Sequence, residues 1–298
     1  MTLIVVAVLF IIIAAYNSLS RKREATEGFT QNSRYMLKRN GDIYDDFYVE
    51  VFDIVYHPPT YIDGVIGAVE RTTASSEASV FLDVGSKTGK VVDTLREKGY
   101  KAYGVEPATA MVEYSKQYHP SAACQRGDLL DSMLYERGSF SHIICLHNVI
   151  YQYKDKVAFL RNCYFWLRSG GTLAIQLTEI PRDNLTVGGQ KTNFGQRCKN
   201  GACKPYANQV RYPAFNFAAS YEVIDEESME TIYTETFIDK STSNIRENEQ
   251  MLYMDSTGSI LNDAAFCRFA IQGKMPLPLA ASMPANCESF LYFLERMN

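Results

Sequence analysis

The chain has 298 residues, 46% of them apolar, which is enough for one well-buried α/β core and a substantial accessory region. A net charge of −4 argues against a nucleic-acid surface, and 20 Tyr with 16 Phe exclude a disordered polar chain. The seven cysteines are odd in number and irregularly spaced, which points to free thiols in a reducing compartment. Cys198 and Cys203, in RCKNGAC, are the closest pair, and that stretch reads as an ordinary polar loop.

Leu3 to Tyr16 is an uninterrupted apolar run, about 21 Å long as a helix. Counted from Met1 to Leu19 it would reach roughly 28 Å, against a hydrocarbon core of ~30 Å. Arg21, Lys22 and Arg23 follow at once, and no Lys or Arg precedes the run. The positive-inside rule therefore places the rest of the chain in the cytoplasm. A cleaved signal peptide is the rival reading, because Ser18-Leu19-Ser20 offers small residues, but the basic n-region is missing. The expectation is a single-pass membrane anchor over residues 1–20.

Residues 24–42 are polar with little periodicity and read as a tether. In YDDFYVEVFDIVY, Phe47, Val51, Ile54 and Val55 fall at helical spacing, and His57-Pro58-Pro59 stops the segment. Tether and helices together make an N-terminal region over 21–75. Strands and helices then alternate over 76–178. Strands are expected at Val80–Val84, Ala102–Val105, Ala122–Gln125, Ile143–Leu146 and Thr172–Leu177. Between the last two, Val157, Leu160, Tyr164 and Leu167 share a helical face that Gly170-Gly171 is expected to stop. Such alternation implies right-handed crossovers and a mainly parallel sheet. Residues 179–211 read as a long polar loop. Phe215–Val223, Glu230–Phe237 and Gln250–Met254 suggest an antiparallel insertion spanning 179–255. A last helix at Ile260–Phe269 and a hairpin of Ala270–Met275 with Ser289–Leu294 would complete the core over 256–298.

The central signal is FLDVGSKTG, Phe81 to Gly89: a strand, a glycine turn and a helix opening directly after it. Glycines let a ligand approach the backbone, and the helix start offers unpaired N–H groups. A phosphate-binding P-loop fails on count, since Gly85 and Gly89 enclose three residues rather than four and Lys90 precedes Val91. A dinucleotide fingerprint fails on spacing. An adenosylmethionine turn agrees with three carboxylates at strand ends. Glu106 ends the second strand and suits ribose hydroxyls; Asp128 follows the third and suits an adenine amino group. Asp83 precedes the turn and suits an ammonium.

With these motifs the sequence resembles the class I S-adenosylmethionine-dependent methyltransferases, over residues 44–177 and again in the closing hairpin. FLDVGSKTG is similar to their first motif, GVEPA to the acidic second, GDLL to the third, and FSHIICLHNVIYQY with WLRSGGTLAIQL to their fourth and fifth strands. The resemblance implies a Rossmann-like, seven-stranded sheet with helices on both faces and its last strand antiparallel. It also implies cofactor contacts at Asp83, Gly85, Ser86 and Gly89, with Glu106 at the ribose and Asp128 and Leu129 near the adenine. Leu146 and His147 would line the floor beside the methyl group, and Tyr44 and Tyr48 would close over the cofactor from the N-terminal helix.

Two positions depart from the family: Lys87 stands where a second glycine is usual, and Ser141 follows Phe140 where an aspartate is usual. They keep a second reading open, a catalytically inactive relative serving as a cofactor-binding or membrane scaffold. In an active enzyme, His147 is the best-placed general base, with weaker cases for His57, His119 and His142. Tyr221, Tyr233 and Tyr253 are candidates for the acceptor side. No Asn/Asp-Pro-Pro-Tyr element follows the fourth strand, which argues against DNA adenine or glutamine substrates, and the membrane tether favours a lipid, quinone or membrane-associated acceptor beside a small molecule.

Overall fold

The computed structural model describes residues 33–298, apart from 59, 180–185, 188–190, 193–195, 200–201, 206–208, 226 and 278–287. The expected membrane helix lies outside the described residues. Among those described, no helix is long and apolar enough to cross a membrane.

The chain begins with Tyr35–Arg39 (β1), Asp46–Tyr56 (α1) and Tyr61–Thr72 (α2). The core follows as Val80–Val84 (β2), Lys90–Glu97 (α3), Lys101–Glu106 (β3), Thr109–Tyr118 (α4), Ala123–Arg126 (β4), Phe140–Cys145 (β5), Lys156–Trp166 (α5) and Leu167–Glu179 (β6). Thr257–Phe266 (α6) comes near the end of the chain. The final hairpin pairs Phe269–Pro276 with Glu288–Arg296.

The main sheet has seven strands. From one edge its order is Phe269–Pro276, Glu288–Arg296, β6, β5, β2, β3, β4. The pairs from β6 to β4 are parallel, and Glu288–Arg296 runs antiparallel to both of its neighbours. Side chains alternate between its two faces, as a period of two demands. Leu82, Ile143, Cys145 and Leu294 enter one apolar cluster, with α1 and α5. Phe81, Ile144, Leu146 and Phe293 enter the other, with α2 and α3. Burial on both faces is why β5 is apolar almost throughout.

A second, largely antiparallel sheet is built from later strands together with β1, and Lys191–Thr192, Gln196–Lys199 and Ala202–Pro205 form a small third sheet. Gln209–Arg211, Phe215–Asp225, Glu230–Asp239 and Ile245–Tyr253 follow one another across the second sheet. Two sequence expectations are corrected here. Within the expected tether, β1 is a strand that pairs in parallel with Ile245–Tyr253, so the N-terminal region and the insertion share one sheet. Within the expected long loop lie short strands, including Gln196–Lys199 and Ala202–Pro205, which pair with Cys198 opposite Cys203. In the core, α5 stops at Trp166, and Gly170-Gly171 lie inside β6 instead of ending the helix.

Ser141 has a structural task. Its hydroxyl accepts from the Val80 N–H at 2.8 Å and lies 3.0 Å from the Val80 carbonyl, fastening β5 to the first residue of β2. It also meets His142 Nδ1 at 2.7 Å, and His142 Nε2 reaches the Thr73 hydroxyl at 2.9 Å. His142 is stacked on Phe81 and pushed down to about 4 by burial and then Arg168, so it serves packing rather than chemistry. Ser141→Ala is expected to lower unfolding stability by about 1 to 2 kcal/mol, because it strands buried backbone groups. Urea denaturation measures this, and ligand affinity is expected to stay unchanged.

Candidate active site

The site forms where β2, β3 and β5 end, beneath α1 and the second sheet. At the end of β2 the backbone turns through Gly85 (φ +73°) and enters α3 through Gly89 (φ +81°). Left-handed geometry favours glycine at both. Space demands it too: a Cβ at Gly85 would run into Val149 and one at Gly89 into Ser115. The turn is stitched to β3, with Gly85 and Ser86 N–H groups donating to the Val105 carbonyl at 2.8 and 3.1 Å.

Two buried carboxyl groups stand near the ends of β2 and β3, which pair in parallel. Glu106 is 1% exposed and accepts backbone N–H groups of Ala108 at 3.0 Å and Lys87 at 3.1 Å. Asp83 is 3% exposed, and burial and then the charge of Glu106 push it up to about 8, opposed by Lys87. A carboxyl held so high binds a proton near neutrality and ionises readily when a cation arrives.

Helix α1 is tied onto the turn. Asp45 caps it by accepting from Tyr48 N–H at 3.2 Å, and Phe47, Val51, Phe52 and Val55 form its buried face. Near its end, Asp53 accepts from the Thr88 hydroxyl at 2.6 Å and meets His57 Nδ1 at 2.9 Å. Burial opposes ionisation of Asp53, but hydrogen bonds from His119, His57 and Thr88 outweigh it and hold the carboxyl below its usual range. His57 Nε2 then lies 3.0 Å from His147 Nε2, so the Asp53–His57–His147 chain joins α1 to the second residue past β5's end. His147 has φ +53°, and its N–H is held by Gln176 at 2.9 Å. Burial, followed by His57 and Lys87, lowers its proton affinity well below that of an ordinary histidine. If His57 carries its proton on Nδ1 toward Asp53, a neutral His147 would donate through Nε2 and present Nδ1 as its free lone pair.

The second sheet supplies the far wall. Tyr221 accepts from Asn148 at 3.3 Å. Tyr56 donates to the buried Glu235, with Tyr233 at 2.9 Å from its hydroxyl. Asn248 also reaches Glu235, and Arg246 continues this network to Asp45.

Asp83, Gly85, Gly89, Glu106, Tyr44 and His147 are thus gathered around one turn and its rim. Four other expected contacts are placed differently. Ser86 turns its hydroxyl beneath the sheet toward Cys124 at 3.6 Å, leaving only its backbone at the turn. Leu146 packs with Val65 and Phe81 on the opposite face, because alternation along β5 sends it there. Leu129 is wholly buried in the core, its carbonyl held by Asn162, whereas neighbouring Asp128 is exposed and accepts from Leu130 N–H. Tyr48 packs edge-on against Phe52 and Phe237, facing the second sheet. Of the tyrosines expected on the acceptor side, Tyr253 lies elsewhere, beside Lys154 and Lys156.

The sequence reading passed over Asp53, Thr88 and Tyr153. The last is partly buried, within reach of the charges of Lys87, Glu106 and Asp128. Its one sequence signal is its place in NVIYQY, just past β5.

This strand order, with the last strand inserted antiparallel and an acidic residue ending β3, is a Rossmann-like methyltransferase fold. Residues 82–175 match the family described as methyltransferase domain, and the fold around them is that of the class I S-adenosylmethionine-dependent methyltransferases. No curated protein matches. Among solved structures, the CcbJ methyltransferase of Streptomyces caelestis is 15% identical with a TM-score of 0.64, covering 87% of this chain and all of its own. An S-adenosylmethionine-dependent methyltransferase of Clostridium acetobutylicum is 12% identical with a TM-score of 0.60, covering 84% of this chain and 96% of its own. S-adenosylmethionine-bound CalS10 of Micromonospora echinaspora, an amino pentose methyltransferase, is 18% identical with a TM-score of 0.56, covering 80% and 92%.

The class cofactor is S-adenosylmethionine, and the donor set fits it. Glu106 presents a buried carboxylate for ribose hydroxyls, Asp83 one for an ammonium, and the Asp128 segment lies beside them at the end of β4. Lys87 intrudes: its ammonium lies 3.5 Å from Glu106 Oε2.

Proposed function

We propose that the protein is an active, membrane-anchored methyltransferase acting on a small-molecule, lipid or membrane-associated acceptor from the cytoplasmic side. The observation that carries this reading is the pair of buried carboxylates, Asp83 and Glu106, on either side of the glycine turn. The bound cofactor supplies a methyl group on a positively charged sulfur, open to in-line displacement by a nucleophile. Glu106 would hold the ribose and Asp83 the ammonium of the donor, which would fix its position. Helix α1, pinned through Thr88 and His147, excludes water from the turn. His147, kept neutral by burial and so a weak base until an anion or acceptor enters, is the group placed to receive the proton of an acceptor that must lose one, and the Asp53–His57 pair orients its ring.

The second reading, a non-catalytic relative, draws its support from Lys87, whose head group sits on the carboxylate a ribose needs. A thermal-shift comparison on detergent-solubilised full-length protein tests the pocket. Adenosylhomocysteine is expected to raise the melting temperature and a nicotinamide dinucleotide to leave it unchanged, since only a ligand of the native state stabilises it. Cell fractionation with and without residues 1–20 tests the anchor, and full-length protein in the soluble fraction would refute it.

A further inference from the structure

Lys87 is a charged residue in a left-handed turn, with φ +50°, a conformation that disfavours side chains. Its side chain does not escape to solvent, since the residue is only 3% exposed. The ammonium lies 3.5 Å from Glu106 Oε2, donates to the Tyr44 hydroxyl at 3.3 Å and stands 4.6 Å over that ring's centre. The same Glu106 oxygen takes the Lys87 backbone N–H, so one residue serves it twice. Gln250 holds the Tyr44 hydroxyl from the second sheet at 3.0 Å, so the latch spans both sheets. Burial would strip the ammonium of its proton, but Glu106 and Tyr44 outweigh it and keep Lys87 charged.

We propose that Lys87 is a specificity-determining residue of the nucleoside pocket, an internal cation that competes with ribose hydroxyls for Glu106. A ligand enters by exchanging the Lys87–Glu106 pair for its own hydrogen bonds. That exchange is unfavourable, because a buried carboxylate gives up a charged partner for neutral ones while the ammonium must find another. Affinity for adenosine ligands is therefore set below what the two carboxylates alone would give. The inference rests on the reading of Glu106 as the ribose carboxylate.

Calorimetric titration of the full-length protein with adenosylhomocysteine tests it. Lys87→Met keeps the length of the side chain without its charge, and Lys87→Gly also relieves the turn. Both are expected to bind at least about 10-fold more tightly than the wild type, a difference of about 1.4 kcal/mol. Lys87→Arg keeps the charge and is expected to bind several-fold more weakly, because the guanidinium grips a carboxylate in a fork. It also keeps the proposal testable if loss of the ion pair prevents folding of the other two. Affinity that is unchanged or weaker in the Met and Gly variants would overturn the role of Lys87 while leaving the pocket assignment standing. Undiminished affinity in the Arg variant would do the same. Absence of binding heat from the wild type and every folded variant would overturn both.

Discussion

Glu106→Ala is expected to weaken adenosylhomocysteine binding by at least about 100-fold. The two hydrogen bonds that ribose hydroxyls make to a charged acceptor contribute about 1.5 to 3 kcal/mol each. Glu106 is 1% exposed, so water does not replace it well. The alanine variant also leaves the Lys87 ammonium buried without its carboxylate, a change that costs about 3 to 5 kcal/mol in comparable pairs. Glu106→Gln separates the two effects. It keeps one acceptor oxygen, for either the Lys87 or the Ala108 N–H, while removing the charge, and is expected to fold better than the alanine variant and still bind poorly. Calorimetry on material shown to melt cooperatively is the measurement. Wild-type affinity in either variant would reject the ribose assignment.

Asp83→Asn is expected to stabilise the ligand-free protein in a pH-dependent way. The Asp83 carboxyl is raised by burial, and then by Glu106, to about 8, so the folded chain keeps a proton that the unfolded chain releases near its ordinary value of 3.8. Below that value both states are protonated and the substitution changes little. As pH rises toward 8 the wild type loses stability, because its folded state binds the extra proton; above 8 the loss is complete. The asparagine variant escapes this loss. Its melting temperature is expected to exceed the wild type's by about 5 °C or more near pH 9 and to converge with it near pH 4. Parallel curves across that range would show that Asp83 is ionised in the folded protein. The gain in stability is expected to accompany weaker ligand binding, since the same carboxyl is placed to meet an ammonium.

The core of this fold was legible because its signals are local. Phe81 to Gly89 holds a strand, two glycines at positions that no side chain can take and a helix start, all within one short window. Glu106 and Asp83 could be found by counting along predicted strands. Strand β1 could not, because YMLKR has no marked alternation and becomes a strand only by lying along Ile245–Tyr253. The contact of His57 with His147 joins positions 90 residues apart and has no trace in spacing. Leu129 and Leu146 were placed in the pocket by their motifs, but motifs mark a stretch of backbone. Which face each side chain takes depends on the pleat and the packing around it. Lys87 was visible as a departure, and only the folded chain shows its ammonium turned inward onto Glu106.

The strand at the extreme carboxyl end of the chain, Glu288–Arg296, is an interior member of the main sheet, flanked by β6 on one side and Phe269–Pro276 on the other. Unpairing it would uncover an edge on each neighbour at once, so the sheet would part at two seams rather than fray at one side.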